Sequence, residues 1–255
     1  MDTLLLQSGF AAPWRLAAIF LVFVLAGVVK GAIGLGLPTV SVGLLSLFMT
    51  PVEAAAMLIV PSFFTNVWQL FDGKEWRRIG IRLWPMLAGV CGGTMLGAAA
   101  GGLLPERAVT AALGLALMAY AASSRLGSTR TMSARQERTL GPLAGAVTGA
   151  VAGATGVFVL PAVPYLRALG LPRDGLMQAM GWSFTVSTVA LAAALALHGN
   201  FHARGAGISC LALVPACLGM ALGQKLRRSM DPQLFSRCFF AGLFLLGFYF
   251  AAGIL

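Results

Sequence analysis

Apolar runs close to the length of a bilayer core recur along the whole chain, and they restrict its folding more than any other feature. They cover Leu16 to Val29, Ala54 to Phe71, Ile81 to Leu104, Val109 to Ser123, Leu176 to Leu197, Ala206 to Leu222 and Phe239 to Leu255. A helix needs about 20 apolar residues to cross roughly 30 Å of hydrocarbon. With 58% hydrophobic and 10% charged residues over 255 positions, too little polar surface remains to coat a soluble globule. The runs are rich in Gly, Ala, Leu and Phe and alternate with short charged connections, which predicts an all-α polytopic membrane bundle and not a β-barrel. The opening stretch MDTLLLQSGFAAPW lacks the positive start of a secretory signal, so the first run is expected to remain as a span. The four cysteines all fall within these spans with no CxxC pair, and a packing role is expected for them.

The second half repeats the first. GVVKGAIG (Gly27 to Gly34) aligns with GAVAGATG (Gly149 to Gly156) at every glycine, and Pro38 meets Pro161 after one inserted residue. PVEAAAMLIVPSFFTN from Pro51 aligns with PRDGLMQAMGWSFTVS from Pro172, pairing Glu53 with Asp174, Ser62 with Ser183 and Asn66 with Ser187. PMLAGVCGG from Pro85 aligns with PACLGMALG from Pro215. The chain divides into a first transmembrane repeat over 1–124, a connection over 125–138 and a second repeat over 139–255. Each repeat holds about five elements: a span ending in a Gly-rich break, a short apolar piece and three full spans, for 8–10 membrane segments in all.

The short pieces, Leu35 to Met49 and Val157 to Leu169, are too short to cross alone. Each either completes the preceding span as one broken crossing or forms an even unit with it, as a re-entrant hairpin or two shallow crossings. With a single crossing, ten basic loop residues lie on one side and seven on the other. With the even unit, fourteen lie on one side and only Arg15, Arg107 and Arg204 on the other. The positive-inside rule favours the second arrangement. The halves are then inverted, both termini are external, and the Arg125 to Arg138 connection is cytoplasmic. Paired broken helices in inverted repeats place a substrate site near the midplane, and rocking one half against the other gives alternating access.

Lys30 is the only basic residue deep in a span. A charge there costs a few kcal/mol unless it snorkels to the interface or meets a cavity or counter-ion. Gly31, Gly34 and Gly36 would let the backbone turn beside it, and Pro38 suits the first turn of the next helix. An anion at that break would meet free N–H groups, a positive helix end and an ammonium. The second half repeats the break at Thr155 and Gly156 but has Ala152 in place of Lys30. Ser62 and Asn66 share a helix face, as do Ser183 and Ser187, so these hydroxyls and the amide either bond between helices or line a central cavity. Thr65 and Thr185 belong to the same paired polar sets, and Gln69 and Gln178 are weaker candidates. Gly89, Gly93, Gly97 and Gly101, like Gly141, Gly145, Gly149 and Gly153, recur every fourth residue and predict close helix contacts. Glu53 and Asp174 suit the first turns of helices, and HGNFH reads as a turn more than as a His198–His202 metal pair.

No carboxylate lies deep in a predicted span, and no GxSxG elbow, Walker motif or His/Glu cluster occurs, so neither an enzyme, a cofactor nor a bound metal is expected. The net charge of +10 sits in loops facing anionic lipid, which makes membrane lipid a partner and leaves nucleic acid unneeded. A homodimer stays open.

Four stretches resemble the sulfite exporter TauE/SafE family: GAIGLGLP, its echo GATGVFVLP, the serine-bearing GWSFTVST and the terminal GQKLRRSMDPQLFSRCFFAGLFLLG. The resemblance runs from about Val22 to Gly253. It implies transport of a small anion, sulfite, a sulfonate such as sulfoacetate or another sulfur-containing organic anion, across the bacterial inner membrane. A scaffold or accessory subunit without transport activity, and an anion channel, are the alternative readings.

Overall fold

The computed structural model describes residues 13–123, 131–199, 203–226 and 232–253. Ten helices occur among them: α1 (Pro13–Ile33), α2 (Leu37–Leu45), α3 (Pro51–Phe71), α4 (Trp76–Leu103), α5 (Glu106–Ser123), α6 (Ala134–Thr155), α7 (Ala162–Ala168), α8 (Arg173–Leu197), α9 (Ala203–Leu226) and α10 (Pro232–Ala251). Six of these, α1, α3, α4, α8, α9 and α10, are long and apolar enough to cross a membrane. Helix starts follow local chemistry. Thr50 and Glu53 form a reciprocal capping box at α3, and Ser133 and Gln136 form another at α6. The expected first-turn carboxylates Glu53 and Asp174 are both in place.

The two short pieces turn back. Trp14, at the start of α1, stacks edge-on against Phe48, just past α2, with ring centroids 6.1 Å apart. In the second half, Met132 N–H donates to Ala168 O at 2.9 Å, and Tyr165 OH donates to Glu137 O at 3.3 Å. Each long helix and its short successor thus form an antiparallel hairpin whose ends meet on one side of the bundle. The contacts across each hairpin agree with the even unit of the two arrangements open to the sequence. The helical part of each piece is shorter than expected, because the chain is irregular at 34–36 and 156–161 before α2 and α7 begin, and α2 also gives way to turns at 46–48.

Helices pack in a pattern that treats the halves alike. Helix α4 lies along α6, and α9 lies along α1; α3 crosses α8, and α5 crosses α10. On α4 and α6, Gly89, Gly93 and Gly97 step along Pro142, Ala146 and Ala150, so the two helices run parallel. Helices α1 and α9 do the same through Gly27 and Gly31 on one side and Gly219 and Gly223 on the other. A Cβ at Gly93 would overlap the Ala146 carbonyl, and one at Gly31 would overlap that of Met220. The four-residue glycine stripes are contact faces, as expected. The equivalent helices run the other way. In α3 and α8, Ser62 meets Thr188 while Leu70 meets Gln178. In α5 and α10, Gly114 meets Ala251 while Tyr120 meets Phe240. Both pairs are antiparallel.

One expectation fails here. Cys91, Cys210, Cys217 and Cys238 are free and exposed on the outer surface, not packed in the core. Small and apolar, cysteine is as compatible with a lipid-facing position as with an interior one. Residues 125–130 of the connection, His202, Arg227 and Arg228 lie outside the described residues.

Candidate functional site

Helix α1 stops because Gly34 takes up a left-handed conformation, φ 75°, and its N–H donates to Lys30 O at 2.7 Å. Gly36, at φ 103°, begins α2 without a side-chain cap, and Pro38 occupies the first turn. Gly34, Leu35 and Gly36 are all buried, so this irregular backbone lies inside protein, where membrane depth tolerates it.

Lys30 points into the bundle and is only 5% exposed. Its ammonium donates to Asn66 Oδ1 and makes no ion pair among the described residues. Asn66 Nδ2 donates to Ser62 Oγ at 3.0 Å. Thr188 Oγ1 donates to its own Phe184 O at 2.7 Å, so in the 3.2 Å contact between Ser62 and Thr188 the serine is the donor. A directed chain results, from Lys30 through Asn66 and Ser62 to Thr188, crossing from the first half to the second. Ser62 and Thr188 sit near the middles of α3 and α8, whereas Lys30 lies one turn from the end of α1. An ammonium has three donors and one is used, which leaves hydrogen-bonding capacity for an acceptor. Gln69 Nε2 donates to Gly34 O at 3.4 Å and Met177 O at 3.2 Å, while its Oε1 is unpaired. Thr39 Oγ1, fully buried in the first turn of α2, is also unpaired.

The second break has the same backbone and different side chains. Gly156 is left-handed at φ 75°, and its N–H donates to Ala152 O at 2.8 Å, as Gly34 does to Lys30 O. Thr155 Oγ1 donates to Val151 O at 2.7 Å and accepts from Val157 N–H at 3.3 Å, which caps the break. Ser183 and Ser187 are fully buried, and their hydroxyls have no partner.

The structure therefore brings Lys30, Ser62 and Asn66 together and uses Gly34, Gly36 and Gly156 at the breaks. Gly31 does not turn the chain: it is helical and faces α9. Ser183 and Ser187 are buried outside the hydrogen-bonded chain. Thr188 was missed, because a helical threonine that bonds back to its own turn reads as satisfied. Its only signal was the run of hydroxyls in GWSFTVST. Among the described residues no group of three or more His, Cys, Asp and Glu could hold a metal.

Beside the first break, the first half of α8 is fastened to the corner between α3 and α4. Gln178 Nε2 donates to Leu70 O at 3.1 Å, and Gln178 Oε1 accepts from Glu75 N–H at 3.2 Å. Trp182 Nε1 donates to Trp76 O at 2.7 Å. These bonds join the two halves, so a motion that parts α8 from the corner between α3 and α4 must break them.

Residues 19–250 match the family model described as Sulfite exporter TauE/SafE. No curated protein and no solved structure matches the chain.

Proposed function

This chain belongs to the sulfite exporter TauE/SafE family, and from that footing we propose that it moves a small anion, sulfite or a sulfonate such as sulfoacetate, across the cell inner membrane by alternating access. It is a multi-pass membrane protein of a transport family, with six helices suited to crossing. The observation that carries the reading is the buried Lys30, bonded to a neutral amide at a helix break and linked through Ser62 to Thr188 in the other half. An ammonium with donors to spare suits an oxyanion, as does the uncapped start of α2 a few residues further along the chain. A substrate that draws Lys30 away from Asn66 would alter the contact between α3 and α8, which couples binding to the interface between the halves.

The antiparallel packing of equivalent helices and the return of both hairpins support an inverted repeat. On that topology the loops around 72–75, 131–133 and 169–172 face the cytoplasm with most of the basic residues, and both termini are external. Few carboxylates compete for an anion near the site, and no metal or cofactor is invoked.

The test is flux in liposomes of purified protein with labelled sulfite and labelled sulfoacetate. Saturable uptake that Lys30→Ala abolishes and Lys225→Ala spares is the expected result. Equal loss in both variants would remove Lys30 from the site. Ohmic currents would indicate a channel, and absence of flux for every anion would indicate a scaffold.

A further inference from the structure

We propose that the cavity between the starts of α4 and α6 holds the headgroup of an anionic phospholipid from the basic side of the bilayer. The cavity has a volume of about 290 Å³, close to the ~300 Å³ at which small-ligand pockets begin. Arg82, Glu137, Arg138 and Tyr165 are among its lining residues, and Ile81 and Trp84, the large apolar ones that are exposed, form its lip. Helix α4 has 28 residues, about 42 Å of helix against a hydrocarbon core of roughly 30 Å, so its first turns extend into the headgroup layer. Arg82 lies in that zone.

The charges are divided between two tasks. Arg82 grips Glu137 with two bonds, Nε to Oε1 at 2.6 Å and Nη2 to Oε2 at 2.7 Å, and so ties α4 to α6. Tyr165 OH donates to the Glu137 backbone and adds α7 to the same corner. Glu137 is thereby neutralised. Arg138 is exposed, lines the cavity and makes no ion pair among the described residues, so the site keeps one free positive charge. The cavity also opens at the first turn of α6, a 22-residue helix whose positive end favours a phosphate.

The outer lip decides between a lipid and a free phosphate ester. Ile81 is 74% and Trp84 65% exposed, on a helix whose remaining length is apolar. An acyl chain lying along that surface would continue from a headgroup seated at Arg138, with the indole of Trp84 at the interface, where such rings concentrate. Basic pockets between helices at this level suit anionic headgroups.

Native mass spectrometry of the full-length protein in detergent, titrated with dioleoyl phosphatidylglycerol or dioleoyl phosphatidylcholine, tests the proposal. The expected result is at least a fivefold preference for the anionic lipid, falling to within twofold in Arg138→Gln and unchanged in Arg107→Gln on the opposite side. Trp84→Ala should weaken binding of both lipids and serves as the second variant if Arg138→Gln does not fold. Equal binding of the two lipids to the wild type would overturn the site, as would a preference that survives Arg138→Gln or lipid binding that Trp84→Ala leaves unchanged. Competition by glycerol phosphate at the same concentration as the lipid would overturn the lipid in favour of a soluble ester.

Discussion

The two helix breaks share a backbone and differ in what surrounds it. At each, a left-handed glycine returns its N–H to the carbonyl four residues earlier, and a short helix doubles back. The first break carries Lys30, and its polar neighbours are joined in one hydrogen-bonded chain. The second carries Ala152, and the buried hydroxyls of Ser183 and Ser187, like that of Thr185 between them, are left without partners. The repeat register explains the gaps at both serines. It pairs Ala152 with Lys30 and Val67 with Thr188, so Ser187 lacks the cation that Asn66 has, and Ser183 lacks the hydroxyl that Ser62 has. The same backbone thus holds a lysine at one break and only neutral groups at the other.

The sharpest way to break this comparison is to remove the charge. Lys30→Met should lower sulfite or sulfonate flux in liposomes by about tenfold or more, roughly 1.4 kcal/mol or more of lost interaction with the anion. The fold should survive, since the substitution replaces a buried charge that has a single neutral partner by an apolar chain of similar length. Retained flux would mean that the two breaks are functionally equivalent after all.

Asn66 and Ser187 occupy equivalent positions, and truncating each should give different results. Asn66→Ala leaves the Lys30 ammonium without its acceptor and removes a donor from Ser62, a loss of about 1–3 kcal/mol. Ser187→Ala removes a hydroxyl that bonds to nothing and should stay within about 0.5 kcal/mol of the parent. Reversible unfolding in mixed micelles measures both. A large loss for Ser187→Ala would reveal a partner that the second break acquires in another state.

The glycines of the breaks extend the comparison to the backbone. Alanine in a left-handed conformation costs roughly 1–2 kcal/mol at either Gly34 or Gly156. The surroundings then differ. A Cβ at Gly34 would meet the mobile end of Met177, whereas one at Gly156 would lie 2.9 Å from Ala55 Cβ, which moves only with its helix. Gly156→Ala should therefore lower the unfolding temperature more than Gly34→Ala. The reverse order would place the rigid contact on the wrong side.

Much of the fold was legible because its signals are periodic. Glycines every fourth residue announce a contact face, and those on α4 and α6 do interlock. The same regularity misled at Gly31, since a small residue needed for contact and one needed for a turn look alike one residue after a lysine. The hairpins were legible only through loop charge, which the contacts of Trp14 with Phe48 and Met132 with Ala168 match. The site was half legible. Lys30, Ser62 and Asn66 stand out as polar residues in apolar runs. Thr188 does not, because its partner Ser62 lies 126 residues away and only the crossing of α3 and α8 brings them together.

The finest test of the comparison is to supply the hydroxyl that the second half lacks. Val67→Thr places on α3 the residue that Thr188 provides on α8, opposite the equivalent serine, Ser183. A threonine replacing a fully buried valine costs about 1–3 kcal/mol, because its hydroxyl loses water without gaining a partner, and the half-buried Val67 puts the cost toward the lower end. Here the hydroxyl can bond back to Phe63 O, as Thr188 does to Phe184 O, and can then accept from Ser183. The expected change is therefore within about 0.5 kcal/mol of zero. Pairing the substitution with Ser183→Ala in a double-mutant cycle isolates the new contact, with a favourable coupling of about 0.5–1 kcal/mol expected. Zero coupling would mean that the antiparallel crossing of α3 and α8 does not carry Val67 and Ser183 into the relation that Thr188 and Ser62 have. The symmetry between the halves would then stop at the backbone.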